Sequence, residues 1–379
     1  MTKRYTYALA GMLLGMTTLG AAQAQAPATT PAAPLMQTTF EDGVNGWTTL
    51  GTTAKLAVTK DAADIHGGTA ALKYDYTVAK GQINALILPT PDGKLAGAKS
   101  FNFWVKADHA SPLVFVLSEK GGGRYSALFT APVGQWQQVT LAPSDFILGE
   151  GKDDPKDPDN KLDLDQVEAA GLVDFSQIFV QGEASMATML GVQSGPRSLD
   201  LDDFTVNAAS ADPAVAPVDP SVIESFSTPQ LSWAGLGGVT LSRDTKALGV
   251  PALQAAYKTG TGKLAAFLKP LRPGVLAGKT TLMFSLASVK PTTLLVHLEE
   301  RGGGKYNYLL EAKGNSTVQP LSVAVSDFRP GDDSQDADGK LDMDQVNQFA
   351  VLDLTGMMGD PAAGGAADNT VWIGPISAK

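Results

Sequence analysis

Residues 118–125 read Ser-Glu-Lys-Gly-Gly-Gly-Arg-Tyr, and residues 299–306 read Glu-Glu-Arg-Gly-Gly-Gly-Lys-Tyr. A second pair of segments, 161–167 and 340–346, reads Lys-Leu-Asp-Leu-Asp-Gln-Val and Lys-Leu-Asp-Met-Asp-Gln-Val. The copies are offset by 181 residues (299 − 118) at the glycine segment and by 179 residues (340 − 161) at the second segment. A repeat of this length has the size of a whole domain, not of a solenoid unit. The chain is therefore a tandem duplication.

The apolar pattern of each copy is that of short β-strands. Residues 100–106 alternate apolar and polar side chains, with Trp104 as an extra apolar residue on the opposite face. Residues 113–119 and 294–300 are short apolar runs that end at the glycine turns. The only helical signal is a weak turn near 164–170. Many short strands, with 40 glycines and 23 prolines between them, predict an all-β fold built from β-sandwiches.

The amino terminus has the pattern of a secretory signal peptide over residues 1–24. Lys3 and Arg4 precede an apolar run at 8–19, and small residues follow at 21–24. The run is short for a membrane span, and no later segment approaches about 20 consecutive apolar residues. We expect an exported protein, secreted or periplasmic, without a membrane span.

Changes in composition divide the rest of the chain. An Ala/Pro-rich spacer occupies 25–35, and a Pro/Ala-rich linker occupies 208–220. The first repeat is predicted at 36–207 and the second at 221–379. Two modules joined in this way can bind bivalently if both sites are active, although the differences between the copies suggest that one binds and the other supports it.

The composition excludes several kinds of function. The chain has no cysteine, which removes disulfides and thiolate chemistry, and its net charge of −10 argues against nucleic acid as a partner. Three histidines and the lack of the common hydrolase motifs argue against an enzyme. Two carboxylates facing each other in a cleft, as in a glycoside hydrolase, stay open as an alternative.

The order of motifs in the first copy resembles a known family. The segments that carry the resemblance are 40–47 (Phe-Glu-Asp-Gly with Trp47), 103–105 (Phe-Trp-Val), 136–146 (a Trp-Gln-Gln-Val strand leading to Ser-Asp-Phe) and 201–204 (Leu-Asp-Asp-Phe). Together they resemble non-catalytic carbohydrate-binding modules of the galactose-binding-like jelly-roll superfamily, and equally the related domain of the respiratory-complex assembly-factor type. The resemblance covers essentially all of the first repeat. It implies two tandem jelly-roll β-sandwiches and a polysaccharide or envelope glycan as partner.

The resemblance also implies a structural calcium ion in the first repeat. In this family the ion lies where the first strand meets the last, which points to Glu41 with Asp202 or Asp203. The second repeat has Ser227 and Gly374 at the corresponding positions, and a paired loss is what one shared site predicts. The alternative is that these are ordinary surface acids lost by drift.

Charged and aromatic residues flank both glycine turns. At a strand end they could bind sugar hydroxyls while the ring covers a sugar face. The candidate ligand-binding residues at the turns are Glu119, Arg124, Tyr125, Lys305 and Tyr306. The alternative is a cross-strand ion pair beside a core tyrosine.

The second repeat has a more polar strand leading into its turn. His297 and Glu299 lie on this strand, and Tyr308 replaces an alanine of the first repeat, which together suggest a ligand-facing surface. The acidic loops 153–163 and 332–342 resemble calcium loops, but an EF-hand alignment lacks two ligands. We therefore interpret them as solvated turns whose Asp side chains cap their own backbone.

These observations predict a monomeric, exported, non-catalytic carbohydrate-binding protein. A structural envelope protein that uses its sandwiches for protein contacts is the main alternative, and a glycoside hydrolase is the less favoured one. Aromatic residues make up 7% of the chain, which favours soluble glycan chains over crystalline polysaccharide, because a crystalline surface requires a flat row of rings.

Overall fold

The computed structural model describes residues 33–151, 154–182, 190–208, 221–260, 264–357 and 367–379. Within these ranges the regular structure consists of twenty-five β-strands, one short α-helix and three single 3-10 turns.

The first copy contains twelve strands and the helix. They are β1 (Met36–Thr38), β2 (Thr48–Leu50), β3 (Lys55–Thr59), β4 (Ala71–Val78), β5 (Ala85–Pro89), β6 (Ser100–Ala107), β7 (Ser111–Glu119), β8 (Arg124–Ala131), β9 (Gln137–Leu141), β10 (Ile147–Leu148), β11 (Val167–Asp174), α1 (Ser176–Gln181) and β12 (Gly195–Asn207).

The second copy contains thirteen strands. They are β13 (Val222–Glu224), β14 (Ala234–Leu236), β15 (Thr240–Asp244), β16 (Ala252–Thr259), β17 (Ala265–Pro270), β18 (Thr281–Ser288), β19 (Pro291–Glu300), β20 (Lys305–Lys313), β21 (Gln319–Ala324), β22 (Arg329–Pro330), β23 (Val346–Asp353), β24 (Ala367–Ile373) and β25 (Ile376–Ala378).

These strands form four antiparallel sheets, two in each copy. Sheet A has the order β3-β4-β12-β6-β9 with β1 beside β12, and sheet B has the order β10-β8-β7-β11-β5-β2. Sheets C (β13-β25-β18-β24-β16-β15, with β21 beside β18) and D (β14-β17-β23-β19-β20-β22) repeat these arrangements in the second copy. The all-β fold of two tandem jelly-roll β-sandwiches is therefore confirmed.

Aromatic side chains fill the space between the two sheets of each sandwich. In the first sandwich, the Phe103 ring of sheet A lies 5.3 Å from Phe115 and 5.7 Å from Phe129 of sheet B, measured between ring centroids. Trp47 and Trp233 are fully buried at equivalent places in the two cores. Each such ring contributes roughly 1.5–3 kcal/mol through burial alone. Trp104 points to the other side of β6, as the alternation predicts.

The glycine turns are hairpins, and one local prediction is wrong. Gly122, Gly123 and Gly303 have φ values of 106°, 99° and 88°, which L-residues rarely adopt. Of the predicted helical turn near 164–170, residues 164–166 do form a turn, but residues 167–170 are the start of β11, and the helix begins only at Ser176. In β11 three consecutive residues, Ala170, Gly171 and Leu172, are buried, so this part of the strand lacks the alternation that marks a strand in the sequence.

The predicted termini and linker lie mostly outside the described residues. This applies to the signal peptide at 1–24, most of the spacer at 25–35 and most of the linker at 208–220. The domain boundaries therefore stay predictions. In the described part of the chain, no helix combines the length and the apolar character required to cross a lipid bilayer.

The two sandwiches pack against each other. The Gly237 N–H donates to the Leu190 carbonyl at 2.6 Å, and the Thr130 N–H donates to the Leu231 carbonyl at 3.1 Å. A third apolar cluster joins the copies. Its members include Leu128, Phe175 and Leu190 from the first sandwich and Leu236, Ala266, Leu268, Ala350 and Leu352 from the second.

Candidate functional site

Sheet D carries an ordered set of side chains on the side that faces away from its core. Strand register places them in three rows that cross β23, β19 and β20. We call this surface the sheet D face. Its first row is Gln348, Glu299 and Lys305, its second row is Ala350, His297 and Asn307, and its third row is Leu352, Leu295 and Leu309. Two rows with polar groups therefore lie beside an apolar one.

Hydrogen bonds hold the polar side chains in place. His297 Nδ1 lies 2.8 Å from Asn307 Oδ1, and His297 Nε2 lies 3.9 Å from Glu299 Oε2. Gln348 Nε2 donates to Glu299 Oε2 at 3.2 Å. The Glu299 side chain is 35% exposed and the His297 side chain is 15% exposed, so solvent reaches both polar rows of the sheet D face. The Asn307 amide nitrogen and the Gln348 amide oxygen are not needed for these bonds and could meet ligand hydroxyls.

The corresponding surface of sheet B differs in chemistry. Register places Val116 where His297 stands, Ser118 where Glu299 stands, and Ser126 where Asn307 stands. The sequence-based expectation of a more polar strand face in the second repeat is therefore confirmed for His297 and Glu299.

Tyr308 does not belong to the sheet D face. It lies on the same side of β20 as the core residues Tyr306 and Leu310, and its ring packs 5.9 Å from Phe328. Successive side chains of a strand point to opposite faces, so a residue two positions from Tyr306 must share its side. The proposed ligand contact of Tyr308 is thus not available in this structure.

The tyrosines at the glycine turns anchor loops. Tyr125 and Tyr306 are 3% and 2% exposed, and their hydroxyls donate to the carboxylates of Asp157 and Asp336. A buried ring cannot cover a sugar face, so the predicted stacking role of both rings is incompatible with their burial. The alternative of a core tyrosine describes them correctly.

The charged residues at the turns also contact the acidic loops. Glu119 is buried and accepts from the Asp163 N–H, whereas Arg124 is half exposed and pairs with Asp154 at 3.0 Å. Burial raises the pKa of Glu119 to about 7; the Asp163 N–H opposes this shift, and the negative charges of Asp157, Asp163 and Asp159 increase it. In the second copy Glu300, the equivalent of Glu119, accepts from the Asp342 N–H in the same way.

The acidic loops contain the predicted backbone caps. Asp157 Oδ1 accepts from the Asp159 N–H at 3.2 Å, and Asp159 Oδ1 accepts from the Lys161 N–H at 3.0 Å. Asp338 Oδ1 accepts from the Lys340 N–H at 2.9 Å in the second copy. The interpretation as capped turns is confirmed for these residues, while Asp153 lies outside the described ranges.

Two of the acids predicted to bind calcium, Glu41 and Asp202, accept hydrogen bonds from backbone N–H groups of one segment, residues 66–69. Glu41 Oε1 accepts from the Thr69 N–H at 2.8 Å, and Asp202 Oδ2 accepts from the His66 and Gly67 N–H groups at 3.0 Å each. The neighbouring Asp203 lies 3.5 Å from His66 Nδ1. Carboxylate oxygens are the donor type that calcium requires, but these oxygens face N–H groups.

The number of nearby acids also bears on this site. Calcium takes 6–8 oxygen ligands. Within the described ranges, no three His, Cys, Asp or Glu side chains lie together in a way that could hold a metal ion. A calcium ion at Glu41 and Asp202 would therefore depend on carbonyl groups and water, and it stays a prediction.

No sequence pattern points to His66, which forms an aromatic cluster on sheet A. Its ring stacks on Trp104 at 3.7 Å and meets Trp136 edge-on at 5.8 Å. The second repeat has Ser285 and Val318 in place of the two tryptophans. Their joint loss with the acids was the one signal that could have revealed the cluster.

Comparisons with known proteins give only distant likenesses. No protein-family model matches the chain, and no curated protein matches it. A family 11 carbohydrate-binding module from Clostridium thermocellum, solved with a mixed-linked tetrasaccharide, is 16% identical over 46% of this chain and 96% of its own, with a TM-score of 0.35. The tandem CBM22 domains of Paenibacillus barcinonensis Xyn10C are 11% identical over 93% of this chain and 99% of their own, with a TM-score of 0.30. TM-scores this low identify neither a family nor a ligand for this chain.

Proposed function

We propose that this chain is an exported, monomeric, non-catalytic carbohydrate-binding protein and that the sheet D face binds the glycan. The observation that carries the proposal is the row structure of this face: His297, Asn307 and Glu299 are held by mutual contacts beside Leu309, which is 59% exposed. Sugars present vicinal hydroxyls next to apolar C–H groups. Prepositioned polar side chains beside an apolar side chain match that pattern.

The charges around the face favour a neutral glycan. Lys305 pairs with Asp333 at 2.5 Å, and Arg301 pairs with Glu150, so the nearby cations already have acidic partners. An anionic glycan would also meet a net charge of −10. Among the described residues, the large hydrophobic side chains that are exposed are all aliphatic, which favours soluble chains over a flat crystalline surface.

The proposal is tested with residues 25–379 on a glycan array, followed by calorimetric titration with the best neutral glycan. His297→Val places in the second repeat the residue that the first repeat has at Val116. Loss of one hydrogen bond to the glycan should weaken binding about 10-fold. His109→Val is the matched control, because His109 lies on an exposed loop of the first sandwich, and it should bind as the unaltered protein does. Equal affinities for the two variants would contradict the proposal.

We also propose that calcium, if it binds, is structural and sits near Glu41 and Asp202. Chelation should then lower the melting temperature of the unaltered protein and leave that of a Glu41→Gln variant unchanged. A melting temperature insensitive to chelator and to added calcium would exclude the ion.

One observation supports the alternative function of a protein-contact scaffold. The two sandwiches already use sheet faces to contact each other through an apolar cluster. If the folded protein binds no glycan on the array, this structural role becomes the better account.

A further inference from the structure

Strand β8 of the first sandwich contacts the second sandwich directly at one end, and its other end binds a segment of the first sandwich that contacts the second. At one end the Thr130 N–H donates to the Leu231 carbonyl at 3.1 Å, and the Thr130 hydroxyl donates to the Trp233 carbonyl. At the other end the Arg124 carbonyl accepts at 2.7 Å from the N–H of Gly149, which also belongs to the first sandwich and precedes Glu150. The two ends are six residues apart, which corresponds to roughly 20 Å along a strand.

The second contact is an ion pair. Glu150 follows Gly149 and binds Arg301, whose Nε lies 2.5 Å from Glu150 Oε2 and whose Nη2 contacts the other carboxylate oxygen. The guanidinium and carboxylate groups therefore meet in the two-point geometry that fixes orientation as well as distance.

These contacts lie on opposite sides of the first row of the sheet D face. Leu231 and Trp233 precede the edge strand β14, whereas Arg301 lies in the turn that connects β19 to β20. Register carries the first row from Pro270 on β17 through Gln348 to Glu299. Strand β8 and the adjoining Gly149–Glu150 segment therefore reach the second sandwich at these two places, and the outward residue Leu128 of β8 belongs to the same apolar cluster as Ala350 of the second row.

We propose that the glycan site is composite: the sheet D face forms one wall, β8 of the first sandwich forms the other, and the Glu150–Arg301 pair sets the distance between them. This inference rests on the proposed function. Glu150 and Arg301 are positioning residues, since they hold the walls and need not touch the glycan. Leu128 is part of the apolar cluster that joins the two sandwiches, so the first sandwich offers no second site equivalent to the one on sheet D. One glycan chain should bind per protein.

The ion pair can be altered without unfolding the chain. Glu150 and Arg301 are 29% and 36% exposed, and exposed ion pairs contribute little to stability. The apolar cluster and the Thr130 hydrogen bonds remain when the pair is broken. A change in affinity without a change in melting temperature would thus report on the distance between the two walls of the composite site.

The experiment uses residues 25–379 and neutral tetrasaccharides of glucose, xylose and galactose as probes. Glu150→Lys and Arg301→Glu should each weaken binding of the best probe about 5-fold or more, with an unchanged melting temperature. Combining Glu150→Arg with Arg301→Glu restores the pair in reverse and should return the affinity to within about 2-fold. Asp92→Asn is the matched control, because it removes an exposed ion pair with Lys120 on the first sandwich. Calorimetry should give one site per chain.

The outcomes separate the two proposals. If His297→Val weakens binding but the charge variants do not, the composite site is refuted and the sheet D face stands. If the reversed pair fails to restore affinity, or two glycans bind per chain, the composite site is also refuted. If Glu150→Lys lowers the melting temperature, the neutral variant Glu150→Gln replaces it in the comparison. Failure of every probe to bind the unaltered protein overturns both proposals.

Discussion

Replacing Arg197 with alanine should lower the free energy of unfolding of the first sandwich by about 3 kcal/mol. Arg197 Nη1 lies 3.7 Å from Asp174 Oδ2, and the two side chains are 8% and 0% exposed. The attraction between unit charges at this distance is about 4 kcal/mol at an effective dielectric constant near 20. Removing one partner of a buried pair costs about 3–5 kcal/mol, because the other charge is left buried.

Two remaining donors place the expected loss at the lower end of that range. The Tyr76 hydroxyl donates to Asp174 Oδ2 at 2.8 Å, and the Ser176 N–H donates to Asp174 Oδ1 at 2.9 Å. Burial raises the pKa of Tyr76 well above its usual value, so the hydroxyl keeps its proton and continues to donate. In the second sandwich Asn369 stands where Arg197 does, and it donates to the Tyr257 hydroxyl at 3.3 Å.

Urea unfolding followed by tryptophan fluorescence and circular dichroism measures the effect. The double variant Arg197→Ala with Asp174→Asn should be more stable than Arg197→Ala alone, because the unpaired charge is gone. Lys120→Ala, which removes an exposed pair with Asp92, should change stability by less than about 0.5 kcal/mol. A loss below about 1 kcal/mol for Arg197→Ala, or a double variant as unstable as the single one, would refute the reasoning.

Two further predictions concern the loops that cover the glycine turns. Tyr125→Phe removes the hydroxyl bound to Asp157, which should cost about 1.5–3 kcal/mol and increase hydrogen exchange in residues 154–166, with no such increase in 332–345; equal exchange in both loops would contradict the anchoring role. The pKa of Glu119 is about 7 when folded against an ordinary 4.5, so the folded state binds the extra proton and its stability should fall as pH rises from about 4.5 to 7. Each pKa unit is worth about 1.4 kcal/mol, so the difference between 7 and 4.5 makes about 3.5 kcal/mol the upper limit of this loss. Glu119→Gln should flatten the dependence of the melting temperature on pH over that range, and a dependence as steep as that of the unaltered protein would contradict the burial effect.

Local patterns were sufficient for the fold class. The alternation in residues 100–106 placed Trp104 on the outer side of β6, and the glycine runs marked hairpins with positive φ at Gly122 and Gly303. Such features depend on neighbours within a few residues, which the sequence displays directly. The misassigned residues 167–170 show the limit, because the buried run Ala170, Gly171 and Leu172 in β11 has no period of two.

The candidate site was only partly predictable. His297 and Glu299 could be found because the two copies can be compared position by position, and their counterparts Val116 and Ser118 are less polar. The burial of Tyr125 could not be predicted, because its hydroxyl binds Asp157 in a loop that lies 32 residues later in the chain. The stacking of His66 on Trp104 likewise joins segments that no local period connects.

The duplication, the all-β class, the hairpin turns and the aromatic residues of both cores follow from the amino-acid order alone, since repeats, alternation and glycine turns are read directly along the chain. Three features follow only from the packing of distant segments: Tyr125 and Tyr306 are buried under loops, the polar row of sheet D stays partly open, and the first sandwich contacts the second through Thr130 of β8 and through Glu150. These features depend on strand register and on the packing of distant segments, where burial is shared between surfaces that are far apart in the chain.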